Sequence, residues 1–222
     1  MEIVADKYKL LLKKFRTREN GPAVESMNRM GLKYKRNFGI ALSEIKSFSK
    51  EYFGDQEFAL LLWDKTSREA KILSLMISDP NKLTKEQIEN YILGIDNVEL
   101  AEQAALNLLW KVPDNIKHSL NWCKSKDTYT RLTGLLVVSK IAISKKTVSD
   151  IEFLNFFDAF KEIAHENNFH LKRGLSRALL QIAKRSKKLK QETLEFIETV
   201  NNYNKEMALW LNEEVAYYLK NE

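Results

Sequence analysis

The sequence predicts an all-α fold in which pairs of helices stack into a curved, right-handed α-solenoid. Four apolar stripes with helical spacing begin about 30 to 40 residues apart, which is the period of HEAT-like helix-pair repeats. Only seven glycines and three prolines interrupt the 222 residues, whereas β-sandwiches and barrels need turn residues about every ten positions. No long Ser-, Gly- or Pro-rich linker divides the chain. We therefore expect a single domain over residues 1–222, with an N-terminal helical cap at 1–55, HEAT-like repeats at 56–190 and C-terminal helices at 191–222.

The four stripes share a charged opening turn and an aliphatic body. They occupy residues 67–77, 99–110, 129–140 and 169–181. In a stacked repeat protein, one helix of each pair lines the concave face. We expect these helices to form that layer, so that one surface receives the charges of their opening turns, namely Arg68, Glu102, Arg131, Lys172 and Arg173.

The first 55 residues predict helices on either side of a basic connector. Apolar residues recur at helical spacing over residues 3–16, and Gly21-Pro22 ends that helix. Pro22 suits the first turn of a second helix that runs to about Met30. Residues 31–40 are basic and aromatic without clear periodicity, which indicates a connector. Helical spacing returns from Ile40 to Tyr52.

Capping signals predict where the later helices begin and end. Asp55 is a candidate N-cap for a helix at 58–63, and Thr84-Lys-Glu-Gln87 has the form of a capping box that begins a helix to about Leu93. Turns containing Pro80 and Pro113 end the first and second stripes. The remaining helices are expected at 115–123, at 153–165 with a cap at Ser149-Asp150, and at about 192–200 and 205–219.

The charge distribution favours an anionic partner. The net charge is +6 and the isoelectric point is near 9.2, and residues 169–190 contain no acidic residue. Cations repeated along one helix face can follow a phosphate backbone, although a basic helix can equally be a solvated face. The in-phase arginines and the basic connector favour nucleic acid. The predicted DNA-binding residues are Lys33, Lys35, Arg36, Arg68, Arg131, Lys172, Arg173 and Arg177.

Other chemistries have little support in the sequence. His165 and His170 are five residues apart and fall on different helical faces, so we expect no metal and no cofactor. Cys123 follows Trp122 on an apolar face, which favours a core residue over a nucleophile. No apolar run approaches the roughly 18 residues of a membrane span, and the N-terminus resembles no secretory signal, so a cytoplasmic protein is expected. Packing is the predicted role of all four tryptophans, Trp63, Trp110, Trp122 and Trp210.

Three short motifs carry a resemblance to a known family. They are Ser26-Met-Asn-Arg-Met-Gly-Leu-Lys-Tyr-Lys-Arg-Asn-Phe-Gly-Ile40, Leu62-Trp63 and Arg68-Glu69-Ala70. These motifs resemble those of the HEAT-like DNA glycosylases of the AlkD type, in the DNA alkylation repair family, and the repeat phase is similar over nearly the whole chain. The resemblance implies a solenoid that grips double-stranded DNA in a concave basic groove. It also implies excision of cationic alkylated purines, so damaged or alkylated DNA is the expected partner of a monomeric protein.

The resemblance places the reaction centre of the family at the start of the second stripe. The family pattern there is Trp-x-x-x-Asp, with a further tryptophan in a later repeat. In this sequence, Val98 and Arg177 stand at the tryptophan positions and Glu102 at the aspartate, so one carboxylate remains without its aromatic walls. The arginine that contacts the DNA backbone in the family falls on Leu132, beside Arg131. Glu102 is therefore the candidate catalytic residue; its alternative roles are a structural ion pair with Arg68 or Arg131, or a solvated surface residue.

Three functions stay open at the level of sequence. The first is a glycosylase for alkylated purines, with Glu102 stabilising the cationic sugar that develops in the reaction. The second is a non-catalytic relative that binds damaged or branched DNA through its backbone. The third is a solenoid that binds an acidic peptide. The in-phase cations favour DNA over a peptide.

Overall fold

The computed structural model describes the backbone of residues 2–221 and the side chains of residues 4–221. The chain divides into two compact units, Met1–Pro113 and Asp114–Glu222. Within the described residues the regular secondary structure is helical, apart from a single isolated β-bridge between Arg36 and Ser67. No helix in this part of the chain has both the length and the apolar character to cross a membrane. The expectation of one continuous domain stays a prediction.

The helices of the first unit follow the predicted order around the connector. They are α1 Glu2–Arg16, α2 Gly21–Arg29, α3 Leu42–Tyr52, α4 Gln56–Trp63, α5 Arg68–Ile77, α6 Lys85–Leu93 and α7 Val98–Ala104. A π-helical segment, Ala105–Leu109, continues α7. Helix α5 packs against α3, α4 and α7, and nearly all of its side chains are buried as a result.

Side-chain caps determine where several of these helices begin. The Asp55 carboxylate accepts a hydrogen bond from the Phe58 N–H at 3.1 Å. Thr84 and Gln87 exchange both hydrogen bonds of a capping box. Both caps confirm the sequence prediction. Asn97 caps α7 in the same way, by accepting from the Leu100 N–H at 3.0 Å, so the orphan donors at these helix starts are satisfied.

The α-helices of the second unit are α8 Asn115–Cys123, α9 Thr128–Ser144, α10 Asp150–Leu154, α11 Phe157–Ala164, α12 Phe169–Ala183, α13 Lys187–Asn201, α14 Lys205–Leu211 and α15 Tyr217–Asn221. Helix α9, with 17 residues, is the longest helix in the described part of the chain. A second π-helical segment, Asn212–Ala216, joins α14 to α15. Helix α9 packs between α8 and α12, while α13 packs against α12 and α14. Helices α9 and α12 run parallel, since the rings of Tyr129 and His170 at their starts are in contact and Arg185, just after α12, bonds to the Ala142 carbonyl in the last turn of α9. Equivalent helices of stacked repeats lie side by side in this way.

Two predicted helices differ from the structure. The helix predicted at 153–165 begins at Asp150 and breaks at residues 155–156, where the Phe156 N–H bonds to the Phe153 carbonyl three residues back. That tighter turn separates α10 from α11. The Ser149 side chain makes no capping hydrogen bond. The helix predicted at 205–219 is interrupted by the π-helical segment.

Helix α9 forms the centre of the second unit. Its residues 132–139 are all buried, which leaves it without the polar face of a surface helix. Gly134 lets α9 approach α8 closely, because a Cβ at that position would lie 2.8 Å from the Cys123 nitrogen. Cys123 is itself buried, as predicted for a core residue, and burial raises the pKa of its thiol.

Candidate nucleic-acid interface

The connector of the first unit presents its cations outward. Lys33, Lys35 and Arg36 are exposed, while the intervening Tyr34 is half-buried and Phe38 is fully buried. The guanidinium of Arg36 lies over the Phe38 ring at 4.5 Å and is 3.4 Å from a Glu19 carboxylate oxygen. The irregular segment therefore has an inner aromatic side and an outer basic side.

Arg68, a predicted DNA-binding residue, lies beneath the connector and is shielded from solvent. The residue is 1% exposed. Its Nε and Nη2 atoms donate to the two carboxylate oxygens of Glu99 at 2.8 and 2.7 Å, and its Nη1 donates to the Ile40 carbonyl at 2.9 Å. Because the guanidinium is both buried and engaged, it presents no accessible donor to a phosphate. This geometry argues against a DNA contact by Arg68, whose predicted role in DNA binding stays a prediction.

The same buried network fixes the connector in place. The Glu69 carboxylate accepts from the backbone N–H groups of Phe38 and Ile40 at 3.1 and 3.3 Å. The backbone N–H of Arg68 donates to the Arg36 carbonyl at 2.9 Å. These bonds satisfy the backbone of a segment that has no regular structure of its own. They hold the exposed cations of the connector in a defined position.

Tyr34 ties the connector to the start of α7. Its hydroxyl lies 2.7 Å from a Glu99 carboxylate oxygen and 3.1 Å from the Asn97 side-chain oxygen. Burial, and then the neighbouring charge of Glu99, raises the pKa of Tyr34. Burial alone lowers the pKa of Arg68, but hydrogen bonds and charge from Glu99 and Glu69 outweigh this, so the pKa of Arg68 is raised. Both groups keep their protons over the physiological range.

Glu102 lies on the exposed side of α7, just before the π-helical segment. Among the described residues its carboxylate makes no hydrogen bond and no ion pair. One turn earlier Val98 is half-buried, and one turn later Leu106 is 52% exposed. The ion pair with Arg68 or Arg131 is not formed, because those arginines pair with Glu99 and Glu166, whereas the exposed position agrees with the other alternative, a solvated residue. The carboxylate is accessible and has aliphatic neighbours along its helix.

In the second unit, some of the predicted cations form ion pairs within the protein and others are exposed to solvent. Lys172 is 8% exposed and forms an ion pair with Glu206. Arg131 on α9 is half-buried, pairs with Glu166 and donates to the Ser125 carbonyl. Arg173 and Arg177 are exposed, one helical turn apart. These internal pairs make Lys172 and Arg131 less accessible to DNA than Arg173 and Arg177, and the DNA-binding role of all four residues stays a prediction.

Arg185 shows that part of the basic stretch at 169–190 is structural. Its guanidinium donates to the carbonyls of Ala142, Lys145 and Val148 at 2.9, 3.1 and 2.6 Å. These carbonyls belong to the C-terminal turn of α9 and to the loop that follows it. A cation there satisfies orphan acceptors and complements the helix dipole. Counting cations in the sequence therefore overestimates the charge available to a ligand.

A row of aromatic side chains was missed in the sequence. The row consists of Tyr129 on α9, His170 and Phe169 on α12, and Trp210 on α14. Trp63 and Trp122 are buried, which confirms their predicted core role, whereas Trp110 and Trp210 stay partly exposed. The available sequence signal was the spacing of Phe169, Arg173 and Arg177, which places an aromatic ring and two cations on one helical face.

Comparison with known proteins finds a family and a solved structure to which this chain is similar. Residues 11–214 match a family described as DNA alkylation repair enzyme. One solved structure, reported as a new family of proteins related to the HEAT-like repeat DNA glycosylases with affinity for branched DNA structures, aligns with a TM-score of 0.75. The two chains share 17% identity over 86% of this chain and 82% of that one. A search of curated proteins gave no match. The structural likeness confirms the predicted all-α, HEAT-like solenoid fold class.

Proposed function

Because the chain belongs to the DNA alkylation repair enzyme family, we propose that it binds the sugar–phosphate backbone of double-stranded DNA through exposed cations of each unit. The connector contributes Lys33, Lys35 and Arg36, and α12 contributes Arg173 and Arg177. The observation that carries the proposal is the exposed face of α12. There two arginines at one-turn spacing lie in a stretch without acidic residues, and such a row can follow successive phosphates.

The chemistry of these groups predicts the character of the complex. Contacts from arginine and lysine to phosphates release condensed counterions, so the affinity falls as salt rises. Phosphate contacts position a protein on DNA but carry no sequence information. We therefore expect weak, salt-dependent binding without sequence preference. The related proteins of known structure are described as having affinity for branched DNA, and we extend the proposal to branched as well as damaged duplexes.

A second candidate function is excision of cationic alkylpurines, and the accessible carboxylate of Glu102 favours it. In such a hydrolysis the C1′–N bond breaks and its electron pair leaves with the purine, which cancels the positive charge of the base. Water adds to C1′ and loses a proton. A carboxylate near C1′ stabilises the positive sugar as it develops. Val98 and Arg177 supply no aromatic wall, so we propose excision only for lesions that already carry a positive charge.

The salt dependence of duplex binding tests the main proposal. We expect Arg173→Ala with Arg177→Ala to flatten the slope of log affinity against log salt by about 1 to 2, since each phosphate contact contributes about 0.9. The matched control is Lys46→Ala with Lys50→Ala, which removes two exposed cations with the same four-residue spacing from α3. An unchanged slope in the α12 variant, or an equal change in the control, would remove α12 from the interface.

A further inference from the structure

The aromatic row crosses three helices of the second unit. Between neighbouring rings, the centroid distances are 6.4 Å from Tyr129 to His170, 6.0 Å from His170 to Phe169 and 6.2 Å from Phe169 to Trp210. Phe169 and Trp210 meet at 72°, in an edge-to-face arrangement. Rings at these separations attract one another beyond their burial. The four side chains therefore form an unbroken chain of ring contacts, with neighbouring rings tilted or edge-to-face.

Phe169 is the accessible part of this row. It is 57% exposed, while its three aromatic neighbours are half-buried. Its place at the first position of α12 is set by Asn168, whose side-chain oxygen accepts from the His170 and Leu171 N–H groups. The Arg173 guanidinium lies 5.8 Å from the Phe169 ring centroid. A large apolar ring beside a cation is thus presented to solvent at a fixed position.

The ring at the end of the row is also held in place. The Trp210 indole N–H donates to the Ser176 hydroxyl at 2.8 Å, and that hydroxyl donates to the Lys172 carbonyl at 2.9 Å. The Glu206 carboxylate, four residues before Trp210, is engaged by Lys172 and Asn167. These bonds fix the platform before a ligand arrives, which lowers the entropy cost of binding.

On the basis of the proposed function, we propose that the aromatic row stacks on an unpaired or terminal base, while Arg173 and Arg177 contact the adjoining phosphates. Exposed aromatic rings next to cations are the chemistry with which proteins bind unpaired nucleotides, because every base has a π face. Bases inside a continuous duplex are stacked on each other and cannot reach the row. The platform therefore selects DNA at forks, gaps and branch points.

Binding of forked and continuous duplexes of the same sequence tests this assignment. Phe169→Ala is expected to weaken binding of the fork about fivefold or more, which corresponds to one lost base–aromatic stack. Binding of the continuous duplex should change little. Phe169→Tyr keeps a stacking ring and should restore the wild-type preference. The matched control is Phe53→Ala, which removes an exposed phenylalanine from the first unit.

A fluorescent base analogue gives a direct readout of stacking. With 2-aminopurine at the first unpaired position of the fork, wild-type protein should quench the fluorescence and Phe169→Ala should not. Equal binding of fork and continuous duplex by the wild type would overturn the platform and leave the proposed function intact. Fork binding by Phe169→Ala at the wild-type level would likewise overturn the platform and leave the proposed function intact. That result is expected if the aromatic row binds a protein partner instead of a base. If the wild type binds neither DNA, both proposals fail.

Discussion

A buried guanidinium is stable only when carboxylate and carbonyl oxygens occupy most of its donor positions. Arg68 meets this condition through Glu99, Glu69 and the Ile40 carbonyl. Because Glu99 is 31 positions further along the chain, no local sequence pattern distinguishes this arginine from an exposed one. The exposed Arg173 and the buried Arg68 both open a stripe of the same type. Only the packing around each helix start decides which becomes available to a ligand.

The Arg68–Glu99 pair should therefore matter for stability rather than for DNA contact. Glu99→Gln keeps the shape of the side chain but leaves the buried guanidinium without its main counter-charge. We expect the free energy of unfolding to fall by about 3 kcal/mol, measured by urea denaturation. Glu102→Gln is the matched control, since it makes the same change three residues along the same helix at an exposed position. It should stay within about 0.5 kcal/mol of wild type, and equal effects would contradict a structural role for the pair.

Glu102 gives the sharpest test of chemistry at the residue scale. If the chain excises bases, Glu102→Gln should abolish release of N7- and N3-methylated purines from treated DNA. Affinity for the duplex should stay nearly the same, because neutralising one accessible carboxylate does not weaken phosphate contacts. Release is measured by chromatography of the freed bases. Equal release by wild type and variant would remove Glu102 from the reaction, and release of neutral uracil would contradict the electrostatic mechanism.

At the scale of the elements, local signals in the sequence predicted two helix starts that are set by side-chain caps. Asp55 and the Thr84 capping box were predicted from neighbouring residues, because a cap involves positions only three apart. The two π-helical segments and the break between α10 and α11 were not predicted. At these places the backbone hydrogen bonds span one residue more or one residue fewer than in an α-helix, and no proline or glycine in the sequence indicates the change. Such shifts depend on how neighbouring helices pack, which one sequence does not reveal.

Two glycines at helix contacts, Gly134 between α9 and α8 and Gly174 between α12 and α9, predict different losses of stability when each is replaced by alanine. In Gly134→Ala the new Cβ would lie 2.8 Å from the Cys123 nitrogen and 2.9 Å from the Ser119 carbonyl oxygen. These are backbone atoms, so the helices must separate, and we expect a loss of about 1 to 3 kcal/mol. In Gly174→Ala the nearest atom is the movable Cδ1 of Leu132, at 2.9 Å. That variant should be nearly neutral, because alanine favours the helix by about 1 kcal/mol. Thermal unfolding of both variants compares the two contacts directly.

The cap of α4 predicts a pH dependence of stability. Burial raises the pKa of Asp55, but hydrogen bonds from Lys7 and the Phe58 N–H, with the charge of Lys7, outweigh it and lower that pKa below its ordinary value. A lowered folded-state pKa stabilises the protein above the unfolded pKa of about 3.9, and this contribution is lost as pH falls through the folded value. Asp55→Asn keeps a capping oxygen without the charge. Its stability deficit at pH 7 should shrink as pH falls below the unfolded pKa of about 3.9, and a deficit independent of pH would contradict the charge effect.

At the scale of the whole molecule, the distribution of charge limits how DNA can be bound. The net charge is +6, yet Arg68, Arg131, Lys172 and Arg185 are all engaged by internal acceptors. The sequence predicted the fold class and the basic character of the chain, since periodicity and composition determine both. The sequence did not predict which cations are engaged in ion pairs or hydrogen bonds with distant segments of the chain. Of the eight predicted DNA-binding residues, five stay at the surface: Lys33, Lys35, Arg36, Arg173 and Arg177.

These five cations predict the salt dependence of duplex binding. If they make all the contacts to phosphates, at about 0.9 each, the slope of log affinity against log salt should be about 4.5 in magnitude. Replacing Lys33, Lys35 and Arg36 with alanine should flatten it by up to about 2.7, and the α12 pair by about 1.8. If both patches bind one duplex, the two reductions add in the combined variant, whereas a shared reduction would mean that only one patch engages DNA at a time. Anisotropy titrations from low to moderate salt, repeated on a second unrelated duplex, measure both quantities. A slope that depends on base sequence would show that base edges are read, which contacts to phosphates alone cannot produce.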